Sequence, residues 1–181
     1  VLFNSQQFAS LAMNRTANLT HAERRAVAAT GVPGLDDVLA GGLARDRLYL
    51  IEGTPGSGKT TLGLQFLIQG AAEGESVLYC TLSETAEELR AVARSHGWTL
   101  DNVAVREFIP SELTLGPDEQ YTVFHPSEVE FNDTTKAILA EVEALKPKRI
   151  VFDSLSEMRL LAGSTLRYRR QILALKQYFA G

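Results

Sequence analysis

The chain has 181 residues, of which 45% are apolar and 22% are charged, and its formal net charge is −4. This composition is typical of one globular domain with a sizeable core. The acidic excess argues against an electrostatic hold on nucleic acid or anionic lipid, so we expect neither as a partner. No apolar run approaches the ~18 residues of a membrane span, and a single cysteine, Cys80, cannot form an internal disulfide. We therefore expect a cytoplasmic protein.

The first 26 residues are expected to form a poorly ordered segment before the domain. Residues 1–12 mix Leu and Phe with Asn, Gln and Ser, and they lack the basic start of a secretory signal. We interpret them as residual cloning sequence or as a sign of an alternative start at Met13. The domain itself is predicted to occupy residues 27–181.

Four short runs rich in Leu, Val, Ile, Tyr and Phe predict buried strands at 47–53, 76–82, 103–109 and 149–155. Helical patterns follow them at 59–69, at 85–97, from Asp133 or Thr134 to just before Pro147, and at 164–180. Gly70 is expected to end the first helix, and Thr85 with Glu88 predicts a capping box at the start of the second. Alternating strands and helices predict an α/β fold with a parallel sheet covered on both faces.

A glycine-rich segment lies between the first predicted strand and the first predicted helix. Its sequence, Gly53-Thr54-Pro55-Gly56-Ser57-Gly58-Lys59-Thr60, fits the phosphate-binding pattern G-x-x-x-x-G-K-[ST]. The glycines let backbone N–H groups turn towards a phosphate, and the helix N-terminus adds partial positive charge. With Thr61 added, these residues are predicted to bind ATP, Lys59 as a catalytic contact to the β and γ phosphates and Thr60 as a Mg²⁺ ligand. The competing interpretation is a plain glycine-rich turn.

Two carboxylates are predicted to complete this site. Asp153 ends the run Ile150-Val151-Phe152 and is the expected second anchor for Mg²⁺, although an aspartate at this place also commonly begins a turn. Glu84 follows the predicted strand 76–82 and is the candidate that orients or deprotonates the attacking water. It also fits a helix-start acid favoured by the helix dipole, and sequence physics alone leaves these two roles of Glu84 equal.

Several segments together resemble the RecA-fold ATPases of the KaiC type. They are the stretch from Thr30 to Leu39, Gly41-Gly42-Leu43, Ser95-His96-Gly97-Trp98 and Asp153-Ser154. The resemblance implies a Mg-ATP-dependent ATPase that forms a homo-oligomeric ring, usually hexameric, with ATP between neighbouring subunits. Members of that family carry two adjacent glutamates after the second strand, whereas this chain has Ser83-Glu84. Glu84 is thus the acid to which the resemblance points.

The resemblance also implies an incomplete sheet. RecA-type sheets place a strand that follows the Asp153 region between the strand before the glycine-rich segment and the 149–155 strand. Without it, two strands would face each other across nearly ~10 Å, twice the spacing of a ladder. We expect a RecA-like domain that is incomplete at its C-terminus, as a fragment or with the remainder disordered, proteolysed or supplied by another chain.

Two other functions remain open from sequence. A nucleotide-responsive scaffold that assembles with little hydrolysis is favoured by Ser83, and a small-molecule phosphotransferase is disfavoured by the segment 31–43. The acidic stretch 111–132 is interpreted as a solvated loop, with a partner-binding or intersubunit loop as the alternative. The basic residues Lys146, Lys148 and Arg149 are interpreted as an exposed helix end or face, with contact to phosphates as the alternative.

Overall fold

The computed structural model describes residues 27–108 and 126–179. In chain order its elements are β1 (Val27–Ala28), α1 (Pro33–Val38), β2 (Leu43–Ala44), α2 (Lys59–Ala72), β3 (Val77–Thr81), α3 (Ala86–Ser95), β4 (Ala104–Glu107), α4 (Pro126–Leu145), β5 (Arg149–Asp153), α5 (Leu155–Leu161) and α6 (Thr165–Phe179). The predicted tail 1–26 and most of the predicted loop 111–132 lie outside the described residues.

A three-stranded parallel sheet forms the centre of the fold, in the order β4-β3-β5. The strand β3 pairs with β4 on one side and with β5 on the other, and the register sets Thr81 opposite Asp153. The carboxyl ends of β3 and β5 therefore meet at one edge of the sheet, where ligands bind in open parallel sheets. The predicted α/β class with a parallel sheet, consistent with a RecA-like P-loop fold, is confirmed.

Helices cover both faces of this sheet, as predicted. All five residues of β3 are buried, and because successive side chains of a strand point to opposite faces, its four apolar residues divide between two clusters. Val77 and Tyr79 pack with Leu64 and Leu67 of α2. On the opposite face, Leu78 and Cys80 pack with Ile138 and Val142 of α4. Cys80 is the core residue that the sequence predicted, and burial raises the pKa of its thiol to about 12.

The first predicted strand is not formed. Residues 47–53 have no regular secondary structure, and Leu48, Tyr49, Leu50 and Ile51 are between 43% and 65% exposed. A strand needs a hydrogen-bonding neighbour, and within the described residues the sheet ends at β5, which pairs with β3 alone. The prediction of a buried strand was therefore wrong, and it fails at the place where the resemblance predicted a missing neighbour.

Two helix predictions also need correction, and one helix was not predicted. The helix α2 continues past Gly70 to Ala72, and Gly74, with a φ of 79°, supplies the left-handed residue after its end. The helix α4 begins at Pro126, several residues before the predicted start, since proline is well suited to the first helical position. The short helix α5, which no sequence pattern predicted, begins just after β5, and its Met158 is buried against Leu82.

Arg149, predicted to be exposed, is 3% exposed and joins three parts of the fold. Its guanidinium forms ion pairs with Glu73 and Glu75, which follow α2, and donates hydrogen bonds to the carbonyls of Ala29 and Phe66. Burial by itself raises the pKa of Glu75, but the hydrogen bonds and charges of Arg149 and Arg45 outweigh it and hold this pKa below its usual value. Arg149 thus ties the C-terminal end of α2 to the start of β5.

Gly70 leaves the space that this guanidinium occupies. An ideal Cβ on Gly70 would lie 2.6 Å from Cδ and Nε of Arg149, whose partners prevent it from moving aside. We expect Gly70→Ala to lower the free energy of unfolding by about 2 kcal/mol, since overpacking outweighs the better helix propensity of alanine. The measurement is urea unfolding followed by the fluorescence of Trp98, the single tryptophan.

Gly34 provides the matched control for this prediction. It lies in the helix α1, and no heavy atom outside its own neighbourhood lies within 4 Å of an ideal Cβ there. Gly34→Ala should leave stability unchanged or raise it by about 0.5 kcal/mol. Equal effects of the two substitutions would contradict the role assigned to the contact between Gly70 and Arg149.

Candidate nucleotide-binding site

The glycine-rich segment forms an open turn before α2. Gly56 and Gly58 have φ values of 79° and 86°, which a residue with a side chain rarely adopts. Gly53 lies so close to the hydroxyl of Ser57 that a Cβ would occupy the same space. Residues 53–58 are all exposed, so a ligand can reach this turn from solvent. The glycines at these positions are therefore required by the turn itself.

The start of α2 is suited to an anion. Its N-cap is Gly58, which provides no side chain to accept a hydrogen bond, and its first turn contains no acidic residue. The first N–H groups of a helix have no partners within the helix, and the aligned peptide dipoles add positive potential there. Lys59 lies at the same point, and its ammonium donates hydrogen bonds to the carbonyls of Gly53 and Thr54 at 2.9 and 3.0 Å.

The predicted metal-binding pair is brought together. The hydroxyl of Thr60, in the first turn of α2, donates a hydrogen bond to Oδ2 of Asp153 at 2.8 Å, although the two residues are 93 positions apart in the sequence. Asp153 ends β5, and its carbonyl accepts a hydrogen bond from the N–H of Leu82 that continues the sheet ladder. The sheet thus places Asp153 beside the start of α2, as its position at the strand end predicted.

Glu84 is held near this pair by the end of β3. The hydroxyl of Thr81 accepts a hydrogen bond from the N–H of Glu84 at 2.9 Å and donates one to its carbonyl at 2.6 Å. Glu84 lies just before Thr85, which caps α3 and forms the predicted capping box with Glu88. The turn between β3 and α3 is therefore fixed at both of its ends.

The carboxylate of Glu84 has an unsatisfied oxygen. Its Oε2 is buried, and no hydrogen-bond partner for it is found in the described part of the chain. Burial raises the pKa of Glu84, and the negative charges of Asp153 and Glu88 raise it further. A buried carboxylate oxygen without a partner among the described residues, within the influence of a second carboxylate charge, is a place for a water molecule or a cation.

These residues fit a nucleotide with Mg²⁺. The exposed turn, the uncapped helix start and the Lys59 ammonium offer N–H donors and positive charge, which the phosphates of ATP require. The Thr60 hydroxyl and the carboxylates of Asp153 and Glu84 are oxygen ligands or acceptors, which Mg²⁺ and its waters prefer. The donor set of this site therefore matches the predicted ligands.

The segment 30–36 is fixed against α2. Asp36 accepts hydrogen bonds from the N–H groups of Thr30 and Gly31 and from the Thr30 hydroxyl. The side-chain amide of Gln65, in the middle of α2, donates to the carbonyl of Gly31. The helix α2 is therefore held on two sides, by this segment through Gln65 and by the sheet through its packing on β3.

Two residues of the site escaped the sequence analysis. Tyr79 of β3 donates a hydrogen bond from its hydroxyl to Oδ2 of Asp153 at 2.6 Å. Burial, followed by the hydrogen bond to Asp153 and its charge, raises the pKa of Tyr79 far above its usual range, so the phenol remains a donor. The second residue that the sequence analysis missed is Thr81, whose hydroxyl holds the backbone of Glu84. Both residues are polar and lie in a fully buried strand. Because buried polar groups need hydrogen-bond partners, their presence in an otherwise apolar run was the sequence signal that could have identified them.

A glycine-rich turn before a helix, with a lysine and a threonine at its start and an aspartate on a parallel strand beside it, defines a P-loop nucleotide-binding domain. The model of the family described as "ATPase: KaiC" matches residues 28–181, so the chain belongs to the KaiC ATPase family. The sequence-based recognition of this family is confirmed.

Curated relatives are UPF0273 proteins from archaea and bacteria. The chain is 31% identical over 160 residues to one from Aeropyrum pernix, 30% over 159 residues to one from Methanopyrus kandleri and 29% over 160 residues to one from Thermotoga maritima. Each match covers 84% of this chain and 62%, 62% and 64% of the relative, respectively. The chain thus spans somewhat less than two thirds of the length of these relatives. In its described residues, none of the helices is long and apolar enough to cross a membrane.

Proposed function

We propose that the chain binds ATP with Mg²⁺ at residues 53–61 and hydrolyses it as part of a ring-forming homo-oligomer. The observation that carries the proposal is the hydrogen bond between Thr60 and Asp153, which unites the P-loop with a carboxylate on the neighbouring strand. Membership of the KaiC ATPase family supports nucleotide binding, and the steps below concern what the residues of this chain do.

Binding of the phosphates begins with Lys59. Its ammonium donates to the carbonyls of Gly53 and Thr54, which holds the lysine against the turn. An incoming phosphate competes for these donors and offers stronger, charge-assisted hydrogen bonds in return. The N–H groups at the start of α2 then complete the contact with the anion.

Thr60 and Asp153 would hold the metal. Because the Thr60 hydroxyl donates its hydrogen bond to Asp153, its lone pairs are left to face a cation. A bound Mg²⁺ would neutralise charge that develops on the phosphates. Asp153 contributes its negative charge beside the same point and fixes the orientation of the threonine.

Glu84 would act on the attacking water. Its buried Oε2 lacks a partner among the described residues, so it is available to accept a proton or a hydrogen bond from water. The raised pKa of this carboxyl brings it closer to neutral pH, which suits a general base. The Thr81 hydroxyl positions Glu84 by holding its backbone from both sides.

The proposal extends to the setting of the protein. The hexameric ring with ATP between subunits is part of the proposal and rests on the resemblance to the KaiC type. The exposed apolar side chains Leu160, Leu166 and Leu173 on α5 and α6 are available for contacts between copies. The reduced thiol of Cys80, fully buried, is compatible with a cytoplasmic location. The protein partner suggested for the stretch 111–132 remains a proposal, since most of that stretch lies outside the described residues.

The proposed function is tested by measuring ATP binding and phosphate release on the same preparation. We expect saturable hydrolysis with half-saturation between about 1 μM and 1 mM ATP, abolished by EDTA. Light scattering in parallel reports the mass of the assembly with and without nucleotide. Assembly driven by ATP with no phosphate release would instead support the scaffold interpretation that Ser83 favours, and transfer of phosphate to an added small molecule would support a phosphotransferase.

A further inference from the structure

We propose that Tyr79 is a positioning residue that orients the carboxylate of Asp153 for the metal. Its hydroxyl donates a 2.6 Å hydrogen bond to the same oxygen, Oδ2, that accepts the hydrogen bond from Thr60. The inference rests on the proposed function, because it assigns Tyr79 a role in the magnesium dependence of nucleotide binding. Nothing in the P-loop pattern itself requires a tyrosine at this position.

Two donors on one carboxylate oxygen restrict how Asp153 can turn. Thr60 approaches from α2 and Tyr79 from β3, so Oδ2 is held from two separate elements. Among the residues that the structure describes, Oδ1 has no hydrogen-bond donor. Rotation of the carboxylate would break both hydrogen bonds to Oδ2, so the second oxygen is left in a defined orientation without a partner in the protein.

The ring of Tyr79 is held as firmly as its hydroxyl. The side chain is fully buried in the cluster that contains Leu64 and Leu67 of α2. Gly63 lies in the same helix, one turn after Thr60, and an ideal Cβ there would be 3.7 Å from the Tyr79 ring and 3.1 Å from Cγ1 of Val151. The close approach of α2 at Gly63 lets a side chain from the middle of β3 reach the carboxylate at the end of β5.

A phenylalanine at this position would fill almost the same volume. The hydroxyl is therefore the part that needs an explanation, and the hydrogen bond that it donates goes to Asp153. Groups that hydrogen-bond to metal-binding side chains typically change metal affinity by 10-fold to 100-fold when they are removed. A role confined to packing would instead affect the fold and leave the response to magnesium unchanged.

The test is the affinity of the 181-residue chain for a non-hydrolysable ATP analogue, measured by calorimetry at several Mg²⁺ concentrations and in EDTA. For Tyr79→Phe we expect the Mg²⁺ concentration at half effect to rise about tenfold, while affinity in EDTA changes less than twofold. Lys59 donates to the carbonyls of Gly53 and Thr54, whereas the Tyr79 hydroxyl donates to Asp153, so binding without metal should be preserved. An unchanged Mg²⁺ response, or equal losses with and without Mg²⁺, would overturn the inference.

Tyr49→Phe is the matched control, because the Tyr49 hydroxyl also donates one hydrogen bond, to the carbonyl of Ala44, on an exposed side chain. It should leave the Mg²⁺ response unchanged. If Tyr79 acts through Asp153, then Tyr79→Phe should have less than a twofold further effect in an Asp153→Asn background, whereas independent effects would multiply and contradict the inference.

Failure of the inference and failure of the proposed function give different results. If the wild-type chain does not bind the analogue in EDTA or in Mg²⁺, the proposed function fails. If the wild-type chain binds it with a clear Mg²⁺ response that Tyr79→Phe shares, the role of Tyr79 alone fails. Should Tyr79→Phe unfold, 4-fluorophenylalanine incorporated at position 79 fills the space of the hydroxyl but donates no hydrogen bond, and it is measured in the same titration. A weakened Mg²⁺ response is expected, and an unchanged response would overturn the inference.

Discussion

Lys59→Ala is expected to weaken ATP binding by roughly 100-fold. A lysine in this position gives at least two charge-assisted hydrogen bonds to the phosphates, each contributing about 1.5 kcal/mol, and 1.4 kcal/mol corresponds to a factor of ten in affinity. Lys59 donates to the carbonyls of Gly53 and Thr54, both of which are exposed residues. The substitution should therefore change the free energy of unfolding by less than about 1 kcal/mol.

Calorimetry with Mg-ATP measures this effect, and Lys148→Ala is its control. Lys148 is also an exposed lysine, but it precedes β5 at the end of the sheet opposite to the P-loop. Removing it should leave ATP affinity unchanged. A P-loop without its lysine loses the main positive charge of the site. If Lys59→Ala bound ATP as tightly as the wild-type chain, residues 53–61 would not be the phosphate-binding site.

The parts of the site that sequence could predict are those whose chemistry is local. The P-loop residues lie within nine consecutive positions, and their spacing alone specifies a turn before a helix. The capping box of Thr85 and Glu88 is likewise a property of four neighbouring residues. Asp153 was predictable because the carboxyl ends of parallel strands share one edge of a sheet.

The strand predicted at 47–53 shows what local pattern cannot supply. Leu48, Leu50 and Ile51 have the composition of a buried strand, but strand formation requires a neighbour whose backbone is unpaired and close. Among the described elements, β5 has a partner only in β3, and residues 47–53 pair with neither. Composition therefore predicted the apolar character of the segment correctly and its structure wrongly.

Contacts between residues far apart in the chain also could not be predicted from the sequence. Arg149 was assigned to an exposed basic cluster because its neighbours Lys146 and Lys148 are exposed, whereas the fold brings it against Glu73, Glu75 and Gly70. The need for glycine at position 70 arises from the size of a side chain 79 positions away. A single sequence contains no indication of such a pairing, since neither residue is unusual in its local pattern.

The two ends of α2 are anchored to the two ends of β5. Thr60 donates a hydrogen bond to Asp153 at the end that carries the site. At the other end, Arg149 forms ion pairs with Glu73 and Glu75, which follow α2. The helix that follows the P-loop is therefore held against β5 at both of its ends. Because a displacement of about 1 Å at a reacting group can cost a large factor in rate, this double attachment serves the geometry of Thr60 and Asp153.

Glu84→Gln is expected to lower the rate of phosphate release by roughly 100-fold or more while leaving ATP affinity within about twofold. A positioned general base typically contributes 100-fold to 10,000-fold, and glutamine keeps the shape of the side chain but cannot take a proton at neutral pH. The P-loop contacts do not involve Glu84. Single-turnover hydrolysis and calorimetry on the same variant separate the two effects.

The same substitution is expected to stabilise the fold. The pKa of Glu84 is raised by burial and by the charges of Asp153 and Glu88, so the native state holds this proton more tightly than the unfolded chain does. The protonated carboxyl of Glu84 therefore contributes to the free energy of unfolding at pH values below its ordinary pKa of 4.5. This contribution is lost as the pH rises through the raised pKa of the folded state. At neutral pH the ionised carboxylate is therefore unfavourable, and Glu84→Gln should raise the free energy of unfolding, by less than about 1 kcal/mol because solvent screens the side chain.

Glu87→Gln distinguishes this role from that of an ordinary acid at a helix start. Glu87 lies in the first turn of α3, and its hydrogen bond with Arg94 lowers its pKa. Its removal should slightly destabilise the fold and leave turnover unchanged. If Glu84→Gln behaved like Glu87→Gln, with a small loss of stability and full turnover, Glu84 would be a helix-start acid and the hydrolytic assignment would fail. We expect the free energy of unfolding to rise in Glu84→Gln and to fall in Glu87→Gln, and turnover to be lost in Glu84→Gln alone. That combination would mean that the charge of Glu84 serves the reaction and lowers the stability of the fold.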